Sequence, residues 1–434
     1  MIKNRKELLK GLQPLEKQER AILLDIAEKT LEAIDPYTLV LNEFKKLDSS
    51  KYNRIFVIGT GKGTAKMAEA TEKHFGNKIT DGFITIPKGE TTPNLKKIKY
   101  IYASHPLPNQ NGVKGAKEIL KIAQKAGKKD LVITLISGGG SALMPLPIKG
   151  ITLKEKIALT SLLLKSGANI NEINTVRKHI SQIKGGQLAQ AIYPATCLNL
   201  VISDVLGDDL SAIASGPVSP DPTTVNDALN IFKKYKITPP KKLQETPKKI
   251  ENVKSKILAN HETTALTAKK IASKYHPKIR DSHMEGDCNK KATEIIKKIT
   301  KGLYILTGET TVKITGKGKG GRNQQFVLAC LKNMPKNTTV LSIGTDGVDG
   351  ICPEKITGAI ASESTSKTDI AKYLANNDSY HFFKKNNGLI KTGPTGTNLG
   401  DLILIKTKTG KKHFQSSAQF SDLGYFYQDA KILP

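Results

Sequence analysis

The residues with chemistry to offer gather in a few glycine-rich and acidic stretches. The first is Gly59-Thr60-Gly61-Lys62-Gly63-Thr64, where an apolar run (55–59) ends in glycines holding one lysine. A strand that enters a helix through such a turn leaves main-chain N–H groups unpaired beside a cation, an arrangement suited to an anion. The spacing is not a Walker A loop, and Thr64 stands where a GxGxxG fingerprint needs its last glycine. A tight packing turn would use the same residues. The second stretch, LISGGGSALMPLP (135–147), is more specific. One glycine is enough for a positive φ, whereas three in a row let the backbone approach a ligand and aim several amides at it. Gly61, Ser137, Gly138, Gly139, Gly140 and Ser141 are therefore candidate phosphate contacts, with Lys62 as their cation.

Carboxylates follow two further apolar runs. Asp204 comes immediately after one in VISDVLGDDL (201–210), and Asp346 and Asp349 lie in the loop of SIGTDGVDG (342–350). Aspartates at strand ends suit Mg²⁺, which takes one or two protein carboxylates and completes its shell with water and substrate phosphates. Each aspartate taken alone is more often a turn or cap residue. Between the two loops, TGKGKGGRNQQF (315–326) sets Lys317, Lys319 and Arg322 among four glycines. Arg322 can grip a carboxylate or phosphate with two parallel bonds, which a lysine cannot. Lys184, before Gly185 and Gly186, is another candidate anion contact, and His105 and His179 are candidate proton carriers. The SGGGS run lacks the GxSxG elbow, so serine-based acyl transfer is a poor reading.

Short apolar strands alternating with helices must position these loops. Strand patterns fall at 55–59, 82–87, 98–104, 131–137 and 197–205, with helical patterns at 4–30, 113–126 and 153–166. This alternation predicts an α/β fold: a doubly wound, Rossmann-like sheet over 1–240. Residues 241–260, within a stretch rich in proline and lysine, read as a linker or exposed excursion. A second, smaller α/β domain is expected over 261–406. It has helices at 262–274 and 287–300, strands at 303–308, 310–315, 338–345 and 401–406, and more hairpin character. The expected active-site cleft lies between the two domains. Residues 407–434 form a tail to which the sequence assigns no role.

Composition narrows the class. The 434 residues carry 68 Lys+Arg against 39 Asp+Glu, a net charge of +29 that invites nucleic acid or anionic surfaces as partners. The lysines recur at helical spacing throughout, aromatics are only 5%, and there is no tryptophan, so stacking on single strands is poorly supplied. A lysine-heavy solvated surface is the better account, with no specific nucleic-acid partner. Cys197, Cys288, Cys330 and Cys352 have no zinc or disulfide spacing, and no apolar run reaches membrane-spanning length. A cytoplasmic, membrane-free protein is expected.

Taken in order, GTGKGTAKMA, HPLPNQNG, SGGGSALMPLP, VRKHISQIKGGQLA, SDVLGDDLSAIASGPVSPDPTT, TGETTVKITGKGKGGRNQQF, TDGVDG and GPTGTNLGDL resemble the class II glycerate kinases, whose C-terminal part is the MOFRL domain. The resemblance spans roughly 5–406. It implies transfer of phosphate from ATP, with Mg²⁺, to D-glycerate, giving 2-phosphoglycerate, by a monomer or homodimer. It places the family's important lysine on Lys62 and its arginine on Arg322, and Asp204 is expected beside them in the catalytic set. Asp346 and Asp349 are the expected metal ligands, although the sequence allows either these two or Asp204 to take the metal or the hydroxyl proton. Two rival readings are an NAD(P)H-dependent hydroxypyruvate reductase and a basic nucleic-acid-binding protein. The reductase needs a dinucleotide fingerprint that Thr64 breaks.

Overall fold

Runs of branched aliphatic residues, buried on both faces, build the centre of the first sheet. The computed structural model describes residues 1–89 and 94–408. Six parallel strands, β1 (Ile55–Thr60), β2 (Ile79–Pro87), β3 (Ile98–Ala103), β4 (Leu131–Ser137), β5 (Thr196–Ile202) and β6 (Val253–Ala259), lie in the order 3-2-1-4-5-6. All residues of β1 and β4 are buried, as central strands covered by helices on both faces must be. Strand order reverses between β1 and β4, which pair from Ile55↔Leu131 to Thr60↔Ile136. The crevice beyond the carboxyl ends of such a pair is where open α/β sheets bind ligands.

The second sheet is mixed. It comprises β7 (Lys278–Asp287), β8 (Gly302–Thr311), β9 (Thr338–Gly344), β10 (Gly358–Ser362), β11 (Leu389–Ile390) and β12 (Asp401–Thr407), in the order 11-10-9-12-8-7. Only β7 and β8 run parallel; the other neighbours are antiparallel. The expected break between 303–308 and 310–315 is absent, because β8 continues unbroken to Thr311.

Two boundaries differ from the sequence expectation. Residues 241–260 are no linker. Their last part is β6, the edge strand of the first sheet, and Gln244 and Thr246 bond back to His179 O and Asp221 Oδ2. The N-terminal helix Pro14–Ala33 does not belong to the first sheet alone. It packs on β9, β10 and β12 of the second sheet, and Arg20 donates to Ser362 Oγ and Thr365 Oγ1 at 3.2 Å. Leu23, Leu24 and Leu31 on that helix share one apolar core with Val57 and Ile133 of the first sheet and Leu341 and Leu404 of the second. Fully burying each such side chain contributes about 1.5–3 kcal/mol, so this shared core fixes the two sheets against each other. The tail is described only through Thr407, which ends β12, and Lys408; residues 409–434 lie outside the described residues.

Candidate active site

The turns after β1 and β4 are laced together by backbone and by one hydroxyl. Lys62 N donates to Gly138 O at 2.9 Å, and Gly63 N donates to Ser137 Oγ at 2.9 Å. Ser137 is fully buried, so its hydroxyl braces the turns instead of reaching a ligand, contrary to its expected phosphate contact. The lacing dictates residue types. Gly61 has φ +137°, and a Cβ there would overlap the Ser137 side chain and carbonyl. At Gly138 a Cβ would overlap Asp204 Oδ2 and Asn398 Nδ2. Gly138→Ala should therefore push the sheets apart, lowering stability by about 1–3 kcal/mol and reducing activity at least tenfold. Thermal melts and initial rates on the same preparation would check both effects.

These turns form one wall of a cleft of about 500 Å³. Lys62, His105, Gly139 and Asp204 come from the first sheet, and Glu309, Arg322, Asp346 and Asn398 from the second. In the cleft, side chains of the two sheets meet directly. Lys62 Nζ lies 3.1 Å from Asp346 Oδ2, and Asn398 Nδ2 donates to Asp204 Oδ2 at 2.5 Å. Burial, reinforced by the Glu309 charge, pushes the Asp204 carboxyl up to about 6, against the opposing pull of Lys62 and Asn398. Burial and then the Lys62 charge push the His105 imidazole below its usual value, with Asp346 opposing.

Arg322 opens the helix Arg322–Lys332 and is held from two sides. Its Nε donates to Asp401 Oδ1 and Oδ2 at 3.0 and 2.8 Å, and its Nη1 to Glu309 Oε1 at 2.5 Å. Burial works against the charge, but Asp401 and then Glu309 outweigh it and hold the guanidinium protonated. Asp349 does a different job from the metal binding expected of it. It is buried, and its two oxygens accept from Asn323 N and Gln324 N at 2.9 Å, capping the helix that carries Arg322. The glycines before Arg322 serve packing more than anion approach: a Cβ at Gly316 or Gly318 would overlap the backbone around Asn376 and Asp378.

The remaining expected residues divide plainly. His105 faces the cleft, whereas His179 is fully buried, bonded to Thr175 O at 2.8 Å, and does not line it. Lys184 does not line it either; it is buried beside Ser141, next to the glycine turn. Asp401, Glu309 and Asn398 were not singled out from the sequence. Their roles depend on β12 setting Asp401 opposite both Gly308 and Gly344, a register no local pattern reveals. Among the described residues no three His, Cys, Asp or Glu side chains gather as a metal cluster, and no helix is long and apolar enough to cross a membrane.

Comparison with known proteins shows the family. Residues 22–248 match the domain of unknown function DUF4147, and residues 302–401 match the MOFRL family. A D-glycerate 2-kinase from Thermotoga maritima is 38% identical, over 89% of this chain and 97% of that one. This chain belongs to the glycerate 2-kinase family. A glycerate 2-kinase from Pyrococcus horikoshii is 37% identical over 90% of this chain and 98% of its own length. The crystal structure of a glycerate kinase from Thermotoga maritima superposes with a TM-score of 0.85 at 36% identity, covering 90% of this chain and all of that one. In this member of the glycerate 2-kinase family, Lys62 and Arg322 reach one cleft from opposite sheets.

Proposed function

We propose that this chain transfers the terminal phosphoryl group of ATP to the 2-hydroxyl of D-glycerate, giving 2-phosphoglycerate and ADP, in the cleft between its sheets. The observation that carries the reading is the 3.1 Å approach of Lys62 to Asp346. It brings the anion-suited turns of one sheet against the carboxylates and guanidinium of the other. Phosphoryl transfer asks a protein for positioning and charge neutralisation, with little covalent chemistry of its own. Lys62 and the main chain of Gly138–Gly140 hold phosphate oxygens. Arg322, kept in place by Asp401 and Glu309, binds the glycerate carboxylate or the moving phosphoryl group.

Asp204 is the group for the hydroxyl proton. It lines the cleft, has no cation paired with it directly among the described residues, and has a carboxyl raised toward neutrality. The residues also suit Mg²⁺: Asp346 faces the cleft and would hold the ion, whereas both oxygens of Asp349 are bonded to helix amides. When bound, the ion would neutralise charge on the nucleotide's phosphates.

Incubation with D-glycerate and Mg·ATP, followed by phosphorus NMR, tests the reaction and its position together. A product signal split by one proton is 2-phosphoglycerate; splitting by two marks the 3-isomer, and no new phosphomonoester would remove the kinase reading. The reductase reading has a structural objection: β2 ends on Pro87 and is followed by Lys88, where a dinucleotide fold places its ribose-binding carboxylate.

The Asp204 assignment also fixes a pH profile. A base must be deprotonated to accept a proton, so kcat/KM should fall as pH drops through about 6. In Asp204→Asn that limb should vanish from a rate about 10²–10⁴ lower. A wild-type profile flat from pH 5 to 8 would remove Asp204 from the role.

A further inference from the structure

Beside the triple-glycine turn, three cations meet without a counter-charge. Lys184 is fully buried, and its Nζ donates only to neutral groups, Ser141 Oγ at 3.2 Å and Ala214 O at 3.0 Å. Lys156, on the helix Leu153–Lys165, is 5% exposed, and its Nζ has no hydrogen-bond partner among the described residues. The guanidinium of Arg177, on the helix Ile170–His179, makes no hydrogen bond or ion pair among the described residues.

The three also sense one another. Burial and then Arg177 lower Lys156 to about 7, while burial, Lys156 and Arg177 lower Lys184 well below its usual value. Elsewhere this fold neutralises its buried cations. Lys178, next in sequence to Arg177, meets Asp221 Oδ1 at 3.2 Å, and Arg20 meets Glu16 at 3.0 Å. A buried charge left unpaired is costly, and a cluster of like charges more so, unless an anion joins it.

We propose that Lys156, Arg177 and Lys184, with the Ser141 hydroxyl, form an oxyanion site that takes the non-transferred phosphates of the nucleotide. The assignment rests on the kinase reading above. Three cations match a polyphosphate better than the single charge of a carboxylate. Ser141 directly follows the Gly138–Gly140 turn, so a phosphate chain lying on that turn continues into the cluster. Ser141 and Arg177 are partly exposed, which leaves the cluster open on their side.

Titration calorimetry of the full chain with inorganic tripolyphosphate, and separately with ADP, tests the site. The variants are Lys156→Met, Arg177→Met and, as a control, Lys154→Met, an exposed lysine on the same helix. Loss of one charge-assisted contact should weaken both ligands about ten- to a hundredfold, with the control unchanged. The KM for D-glycerate should stay within about twofold of wild type in all three. Lys156→Met removes a buried, repelled charge, so its ligand-free Tm should rise while the tripolyphosphate-induced shift shrinks. Wild-type tripolyphosphate affinity in both cluster variants would overturn the site. A raised KM for glycerate with unchanged ADP affinity would overturn the choice of occupant. The titration needs no turnover, so a chain that made no phosphoglycerate would lose the kinase reading while this result still stood or fell alone.

Discussion

Lys62→Ala should lower kcat by about 10²–10³ and leave the fold intact. The magnitude follows from removing one preorganised charge aimed at a transition state, about 3–4 kcal/mol at roughly 1.4 kcal/mol per tenfold in rate. Retention of the fold follows from what holds the turn. The Lys62 amide bonds to Gly138 O, Gly63 bonds to Ser137, and neither needs the lysine side chain. The side-chain partner, Asp346, is itself partly exposed, and ion pairs of that kind contribute about 0–1 kcal/mol. The loss should therefore appear in kcat, with Tm nearly unchanged. Steady-state kinetics beside a thermal melt would show it. Near-normal turnover in a folded Lys62→Ala protein would mean that Lys62 does not hold the transferring group.

Arg322 should behave differently, because its charge supports both catalysis and structure. Asp401 is 1% exposed and receives both of its close guanidinium bonds from Arg322 Nε. Arg322→Met strands that carboxylate, and breaking a buried pair from one side costs about 3–5 kcal/mol. Activity should fall by at least 10² as well. The two effects separate in the double variant Arg322→Met/Asp401→Asn. Neutralising the stranded carboxylate should restore most of the stability and none of the rate. Recovery of activity along with stability would make Arg322 a structural residue only. Arg322→Lys should also stay poor, since an ammonium cannot span both oxygens of Asp401 while meeting Glu309.

The sequence disclosed the parts whose meaning is local. β1 and β4 are continuous aliphatic runs, so their strand character and burial are readable, and the glycines at their ends locate the site. β6 and β7 escape such reading because both are edge strands dotted with exposed polar residues, VKSKILA and KIRDSHMEGD, and resemble loops in composition. β10 escapes because GAIAS is short and small. In the site, Lys62, Arg322, Asp204 and Asp346 stand in glycine-punctuated loops at the ends of elements, which is a local signal. What Asp349 and Ser137 do is set by neighbours far along the chain, a helix start 25 residues upstream for one and a turn 74 residues upstream for the other. Nothing near either residue distinguishes a cap or a brace from a ligand contact.

The central claim is that loops from two sheets converge on one phosphoryl group. A crystal structure of the full chain with a non-hydrolysable ATP analogue, Mg²⁺ and D-glycerate tests it most directly. The account predicts the terminal phosphate between Lys62 Nζ and the Gly138–Gly140 turn, with the glycerate hydroxyl within hydrogen-bonding reach of Asp204. A terminal phosphate bound away from both Lys62 and that turn would contradict it.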